Sequence, residues 1–408
     1  MTFDIFKRLL LLTLWATPLY AGGSVYSRFG IGDLTRFGSS RLYAMGNTGL
    51  SLYGDGFINR LNPAGLAGIS ETRISGSFEY LNLTSNDNRA TGNFARGDFQ
   101  GLAFAIPIDR EYGATLLLET TPYSSVRYAV ERTDNQLDAT SHQRFYGSGG
   151  LTTLGIGGSY AVGQRFLVGA KLNYLFGGIR QVSSINFDDE TYTDSELQRS
   201  RYHSGLNVTL GANFHGFGEL SPSLQPLALG VVLTTPARLN VREEIFHSIG
   251  TNADTIRIGS NSLTIPLAWG VGLSYLFSER YIVASDLNIQ YWAPENFPEH
   301  QSVSIRNSLR LSVGFETLPE RKATAYLSRV AYRAGISYHS TYVKIGTESL
   351  NELLASGGVG LPIGPNSRLN LGIQVGTRGT TSLQRDTIIR LSLTLSASEA
   401  WFIRFEED

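Results

Sequence analysis

At 408 residues the chain is long enough for two or three ordinary domains or for one large closed sheet. Its 45 glycines, 20 tyrosines and 21 phenylalanines, with only 17% charged residues, favour a glycine- and aromatic-rich all-β protein. A formal charge of −1 offers no basic field to a nucleic acid, and the absence of cysteine excludes disulfide frameworks, thiolate metal sites and cysteine nucleophiles.

The amino terminus carries the first element. Lys7 and Arg8 precede the apolar run Leu9 to Trp15, and the small residue Ala21 follows. The run is about half of the ~20 residues that a membrane-crossing helix needs, so residues 1–21 read as a secretory signal peptide and not as an anchor. No other long apolar run exists, which excludes a helical membrane protein.

Residues 22–68 are glycine-rich and lack strand periodicity, yet Leu42, Tyr43, Met45, Leu50, Leu52, Phe57, Ile58, Leu61 and Leu66 are too apolar for a disordered tail. A stretch of this kind fits the lumen of a barrel, where inward side chains and water meet its backbone. It is expected to be an N-terminal hatch, with the barrel occupying 69–408.

From there the pattern has period two almost throughout. In 368–377, Leu369, Leu371, Ile373 and Val375 share one face, and Arg368, Asn370, Gly372, Gln374 and Gly376 share the other. Segment 305–316 sets Ile305, Leu309, Leu311, Val313 and Phe315 against Arg306, Ser308, Arg310, Ser312 and Glu316; segment 206–215 repeats the alternation. The predicted strands are 72–82, 98–107, 112–121, 150–162, 165–177, 201–215, 225–235, 265–277, 280–291, 304–316, 325–338, 351–362, 367–378 and 386–396. The connections between these fourteen alternate between long and short, so long ends gather on one rim. An even-numbered antiparallel outer-membrane barrel with long outer loops and short periplasmic turns predicts this; a soluble sandwich does not. Closure also satisfies every backbone amide within lipid. Val283, Leu287 and Ile289 are expected to face lipid and Asp286, Asn288 and Gln290 the lumen. Tyr80, Tyr160, Phe176, Phe277, Tyr291, Trp292 and Tyr338 are candidates for interfacial girdles, with Trp292 at the outer interface. The connections 122–149, 178–200 and 236–264 mix apolar and charged residues and suit either a landing surface or extended hairpins.

The stretches "RLYAMGNTGLSL" (41–52) and "INRLNPAGLAGI" (58–69), then "SLTIPLAWGVGLSYLFSERYIVASDLNIQYW" (262–292) with Pro266, Gly272, Tyr275, Asp286 and Trp292, resemble the FadL-like family of outer-membrane transporters for hydrophobic compounds, whose superfamily includes the PorV-type secretion components. The runs 358–382 and 391–405 resemble Bacteroidetes-type members. The resemblance is loose across 83–260. It implies a 14-stranded barrel plugged by a hatch, ligand capture outside, an apolar pocket, and lateral release near a kinked third strand, which Gly113 would begin and Pro122 end. The chain ends "RFEED", so Phe405 takes the place of the terminal aromatic common in outer-membrane proteins.

No metal-ligand spacing relates the six histidines, and no G-x-S-x-G elbow or phosphate-binding glycine loop appears, so no catalytic residue, metal or cofactor is expected. Ionisable groups at membrane depth are costly unless they pair or line water. Asp286, Asn288, Gln290, Arg306, Arg310, Arg333 and Arg368 are therefore candidates for the lumen site, together with Glu79, Lys171 and Arg390. They either bind a ligand, as arginines could bind a carboxylate bidentately, or pair to hold the hatch. Asn62, Pro63 and Gly65 read as hatch geometry. The expected partners are a hydrophobic small molecule, outer-membrane lipid and the barrel-assembly machinery during insertion, with secretion-system components as the alternative. Passive outer-membrane transport is the leading functional reading.

Overall fold

The computed structural model describes residues 23–399 apart from 88–89, 136–138, 251, 293–302, 321–322, 365 and 381. The signal-peptide and Phe405 expectations lie outside the described residues.

Fourteen antiparallel strands close on themselves. They are β1 Thr72–Asn86, β2 Thr91–Asp109, β3 in two segments Ala114–Pro122 and Ser124–Asp134, β4 Ser141–Val162, β5 Phe166–Phe187, β6 Ser195–Phe214, and β7 in two segments Leu227–Thr234 and Ala237–Ile249. Then come β8 (Asn252–Ile265 and Ala268–Phe277), β9 Tyr281–Gln290, β10 (Val303–Ile305 and Ser308–Thr317), β11 Ala331–Ile345, β12 Glu348–Pro362, β13 Arg368–Thr380 and β14 Gln384–Glu399. Closure is the pairing of β14 with β1, from Glu399 opposite Thr72 to Arg385 opposite Asn86. The breaks in β7 and β8 fall at Pro236 and Pro266, where proline has no N–H to give the ladder.

Period two sorts the faces as the alternation requires. Leu206, Leu210, Leu311, Val313, Ile373 and Val375 are exposed on the outside, while Asn207, Thr209, Ser312, Asn370 and Gln374 are buried within. This is a membrane-spanning barrel with an apolar outer belt. Tyr80, Tyr160, Phe176, Phe277, Tyr291 and Tyr338 stand on the exposed face. Trp292 does not: it is fully buried and stacks on Tyr342 with ring centroids 4.8 Å apart, because the chain turns inward after Tyr291. Ile305 likewise packs against the interior, since a break at residues 306–307 resets the face of β10.

The long outer connections are largely strand. Within 122–149, 178–200 and 236–264 the chain continues as extensions of β3 to β8 that project beyond the belt. At the start of the β7 extension the polarity inverts, with Arg238, Asn240 and Arg242 facing outward and Ala237, Leu239 and Val241 inward; farther out Glu243 is buried and Phe246 and Ile249 are exposed. Strand 325–338 begins only at Ala331, because Tyr326–Arg329 forms a 3-10 turn.

Residues 23–71 fill the lumen. They form 3-10 turns at Val25–Arg28 and Pro63–Gly68 and one short helix, α1, Ser40–Ala44, whose N-cap Ser39 accepts from the Leu42 N–H. Leu42, Met45, Leu50 and Leu66 are fully buried. The segment begins beneath the outer rim, where the Ser24 hydroxyl donates to Asp386 (2.7 Å), and leaves at the opposite rim, where Glu71 accepts from Ser398 (2.9 Å) and Asn366 (2.9 Å).

Candidate functional site

Inward glycines of the wall let the hatch backbone sit close. A Cβ on Gly211 would lie 2.0 Å from Asn62 Oδ1, and one on Gly169 would lie 2.4 Å from the Pro63 carbonyl carbon. Pro63 starts the 3-10 turn, Asn62 caps it by accepting from Ala64 N (3.0 Å), and Asn62 Nδ2 donates to Leu50 O (2.6 Å). Gly65 has no room for a side chain, since a Cβ would stand 2.7 Å from Leu52 O.

Two acid-centred triads tie hatch to wall. Glu316 of β10 accepts from hatch Arg41 (Nη2 at 2.6 Å) and from Arg333 of β11 (Nε at 2.8 Å). Glu119 of β3 accepts from hatch Arg60 (Nε at 3.0 Å) and from Lys171 of β5 (2.5 Å). Their carboxylates are almost completely buried, and each is flanked by two cations, which is what makes a charge at this depth tolerable. Asp286 accepts the backbone N–H groups of Gly49 (2.7 Å) and Leu50 (3.0 Å). Gln374 donates to Tyr43 O (2.9 Å), and the Tyr43 hydroxyl donates to Glu79 (2.5 Å). Nearer the outer rim, Arg378 bridges hatch Asp33 (3.0 Å) and Asp386 (3.3 Å), and Arg390 pairs with Glu352 (3.3 Å).

The wall is split at one place. Strands β2 and β3 pair only as far as Leu102 opposite Thr120. Above that point β2 continues on β1, with Gln100 bulged between the pairs Ser77–Gly101 and Phe78–Phe99, and β3 continues on β4. The freed edge of β3 is met from inside by hatch residues Asp33 and Leu34, which pair with Ser125 and Ser124. Arg60 sits at the apex of the split: beyond Glu119 it donates to Gln100 O of β2 (3.3 Å) and Thr120 O of β3 (2.8 Å). Across the split, Arg96 donates to Ser125 (3.3 Å), and Asp98 pairs with Arg96 (2.7 Å) and Arg127 (3.7 Å).

A cavity of about 420 Å³ lies between hatch and wall and reaches this seam at Phe99 and Pro122. Its lining mixes Phe37, Leu81, Leu83, Leu151 and Leu350 with Arg36, Arg310, Arg378, Arg390, Glu79, Glu352 and His339. A second cavity of about 180 Å³ shares Leu34, Thr35, Arg36, Arg310 and His339 with it.

The residues singled out from sequence are dispersed. Asn288 and Gln290 line the smaller cavity: Asn288 accepts from hatch Arg36, and Gln290 donates to the Tyr123 hydroxyl (3.2 Å). Arg310 lines both cavities and donates to His339 Nδ1 (3.1 Å). Asp286 and Arg333 are engaged with the hatch as described. Arg306 lies away from the cavities, donating to the Thr341 and Leu350 carbonyls and to Asn351. Arg368 lies at the start of β13, opposite Pro362 and Ser396. Sequence reasoning passed over Arg36, Arg41, Arg60 and Glu119. Glu119 shares the inward face of its strand with Leu117, so period two could have marked it; nothing local marks the hatch arginines. Among the described residues no group of three acidic or histidine side chains is placed to hold a metal.

Solved structures share this architecture. A FadL homologue from Pseudomonas aeruginosa superposes with a TM-score of 0.62 at 14% identity, covering 91% of this chain and 100% of that one. The monoaromatic hydrocarbon channel CymD gives 0.57 at 16% identity, covering 91% and 99%, and the toluene transporter TodX from Pseudomonas putida gives 0.57 at 16%, covering 89% and 98%. At these identities the likeness is one of fold, and the expected FadL-like, outer-membrane architecture holds. No curated protein matches the sequence. The BamG family model matches residues 5–406, nearly the whole length, and the chain therefore belongs to the BamG family, built as a FadL-type outer-membrane β-barrel.

Proposed function

We propose that the protein passes hydrophobic small molecules across the outer membrane without a bound energy source, through the cavity between hatch and wall and out by the β2–β3 seam. One observation carries this reading: the larger of the two cavities meets the wall where two neighbouring strands have ceased to pair. A ligand leaving there enters the bilayer laterally and need not unseat the hatch, which the wall carboxylates Glu79, Glu119, Asp286, Glu316 and Asp386 and many backbone contacts hold. Support comes also from the fold, shared with structures described as a hydrocarbon channel and a toluene transporter. Long-chain, fatty acid-like compounds are the substrate class proposed.

A second reading, a structural partner within an outer-membrane assembly, is favoured by the BamG family itself, whose designation points to barrel assembly, and by a lumen so fully occupied by the hatch. Native mass spectrometry of protein taken gently from membranes separates the two. A bound apolar small molecule supports transport; a stoichiometric protein partner with no small molecule supports the second reading and counts against the first.

A further inference from the structure

Where the apolar belt gives way to the outer extensions, the outward face of β5, β6 and β7 carries three exposed arginines, Arg180, Arg238 and Arg242. Outward positions on strands farther round the outer rim are uncharged, as at Asn82 of β1, Ser340 of β11, Thr377 of β13 and Thr387 of β14; Arg385 at the top of β14 is an exception. The belt ends in aromatic rings on this side. Tyr174 and Phe176 of β5 stack with centroids 5.4 Å apart, and Trp269 of β8 donates to the Tyr291 hydroxyl (2.9 Å). Rings of this kind mark the level of lipid headgroups. Through the ladder Phe176 is opposite Ser204 of β6, which is opposite Asn240 of β7. Arg238 and Arg242 are the outward residues on either side of Asn240, and Arg180 stands two outward positions beyond Phe176, so all three are at headgroup depth.

Tyr202 of β6 lies among them, opposite Gly178 on one side and Arg242 on the other. It is 51% exposed, and its ring reaches over Gly178, where an added Cβ would meet Tyr202 Cδ1 at 3.4 Å. The arginines are poorly matched by acids of the same face. Arg242 pairs with Glu244 (2.7 Å), but Arg180 donates to the Gln198 amide oxygen, and among the described residues Arg238 meets no carboxylate. A guanidinium fork holds two phosphate oxygens at once, and basic residues at a membrane surface draw anionic lipid. The negative face of an aromatic ring takes the weakly positive C–H groups of a sugar ring.

We propose that this band seats a phosphorylated glycolipid of the outer leaflet, with its sugar on Tyr202, its phosphates on Arg180, Arg238 and Arg242, and its acyl chains running down over Tyr174, Phe176 and Leu206. The seat fixes the depth of the barrel on the side where its extensions rise. None of the three arginines lines either cavity, so the seat stands apart from the transport reading.

The test is equilibrium binding of radiolabelled lipid A, an acylated and phosphorylated glucosamine disaccharide, and of its dephosphorylated form to the purified full-length protein in a non-ionic detergent. Arg180→Gln and Arg238→Gln should each weaken lipid A about fivefold, Arg242→Gln less because Glu244 already shares its charge, and the three together on the order of 50-fold. The triple variant should thereby lose the preference of wild type for the phosphorylated form. Tyr202→Ala should weaken both forms, and Arg385→Gln, which removes an equal charge from another part of the rim, should change neither. Heat-modifiable migration on gels verifies folding, and if the triple variant fails that check the single variants decide. Equal affinity of wild type for the two lipids, or a loss with Arg385→Gln as large as with Arg238→Gln, would overturn the proposal. Full displacement of lipid A by millimolar inorganic phosphate would overturn the lipid as occupant in favour of a free anion.

Discussion

Arg60 is the residue at which hatch and seam meet, and its removal makes the sharpest mutational prediction. Its guanidinium, whose side chain is 3% exposed, holds Glu119 and the carbonyls of Gln100 and Thr120 at the point where β2 and β3 part. Arg60→Met keeps the bulk and removes the charge and the donors. Taking one partner from a buried ion pair costs roughly 3–5 kcal/mol, and because Lys171 still meets Glu119 at 2.5 Å the lower end, about 3 kcal/mol, applies. The two carbonyl bonds come from the same guanidinium and are contained in that figure. The free energy of local opening should fall accordingly, so amide exchange should accelerate on the order of 10²-fold. Hydrogen exchange by mass spectrometry, on peptides covering the hatch turn at Pro63–Gly68 and β2 at Thr91–Gly101, measures it. Both peptides should lose protection together, since one side chain holds both. Removing all three charges, with Arg60→Met, Glu119→Leu and Lys171→Met, should recover most of the loss, because no buried charge is then left alone. Unchanged protection in the β2 peptide of a folded Arg60→Met barrel would refute the coupling.

The other predictions concern hatch and wall. Glu316→Ala leaves Arg41 and Arg333 facing each other without their shared acceptor and should loosen the α1 region by about 3–5 kcal/mol, read as faster exchange over residues 40–47. Asp286→Asn replaces a charged acceptor of two hatch amides by a neutral one; a loss of about 1–2 kcal/mol should appear as faster exchange at Gly49 and Leu50. Gly211→Ala places a methyl where Asn62 Oδ1 now lies, so the hatch turn must shift, at a cost of about 1–3 kcal/mol in thermal or urea unfolding. On the lipid face, Leu311→Arg should cost about 2–4 kcal/mol in liposome refolding, whereas a polar change at outward Asn240, beyond the apolar belt, should cost little.

The barrel was legible because period two is a local signal: Leu369, Ile373 and Val375 against Asn370 and Gln374 state a face within nine residues. Its polarity was legible too, since apolar residues face outward only where the surroundings are lipid. The outer extensions of β3 to β8 were not, because their alternation does not keep one polarity: in β7 Leu239 and Val241 turn in and Arg238 and Arg242 out, and such a pattern reads as a loop of mixed character. Trp292 was misplaced for a related reason: strand phase was carried one residue past the end of β9, where the chain turns in to Tyr342. The hatch could be placed by its apolar content, but not its attachments. Arg41 and Glu316 are 275 residues apart and Arg60 and Glu119 are 59 apart, and neither pair shares a local pattern that would announce it. The close approach of the inward glycines at 169 and 211 to Pro63 and Asn62 is a fact of three dimensions that no local pattern states.

Passage through the β2–β3 seam is the central claim, and the absence of cysteine from the chain permits a direct test. Phe99→Cys and Pro122→Cys place one thiol on each side of the split beside the cavity. Uptake of a radiolabelled hydrophobic probe by cells carrying this double variant should exceed that of cells without the protein, and should fall to their level once a bismaleimide bridges the thiols. Each single-cysteine variant, given the same reagent, should keep its uptake. Uptake that persists across a bridged seam, or that never rises above the control, would contradict the account.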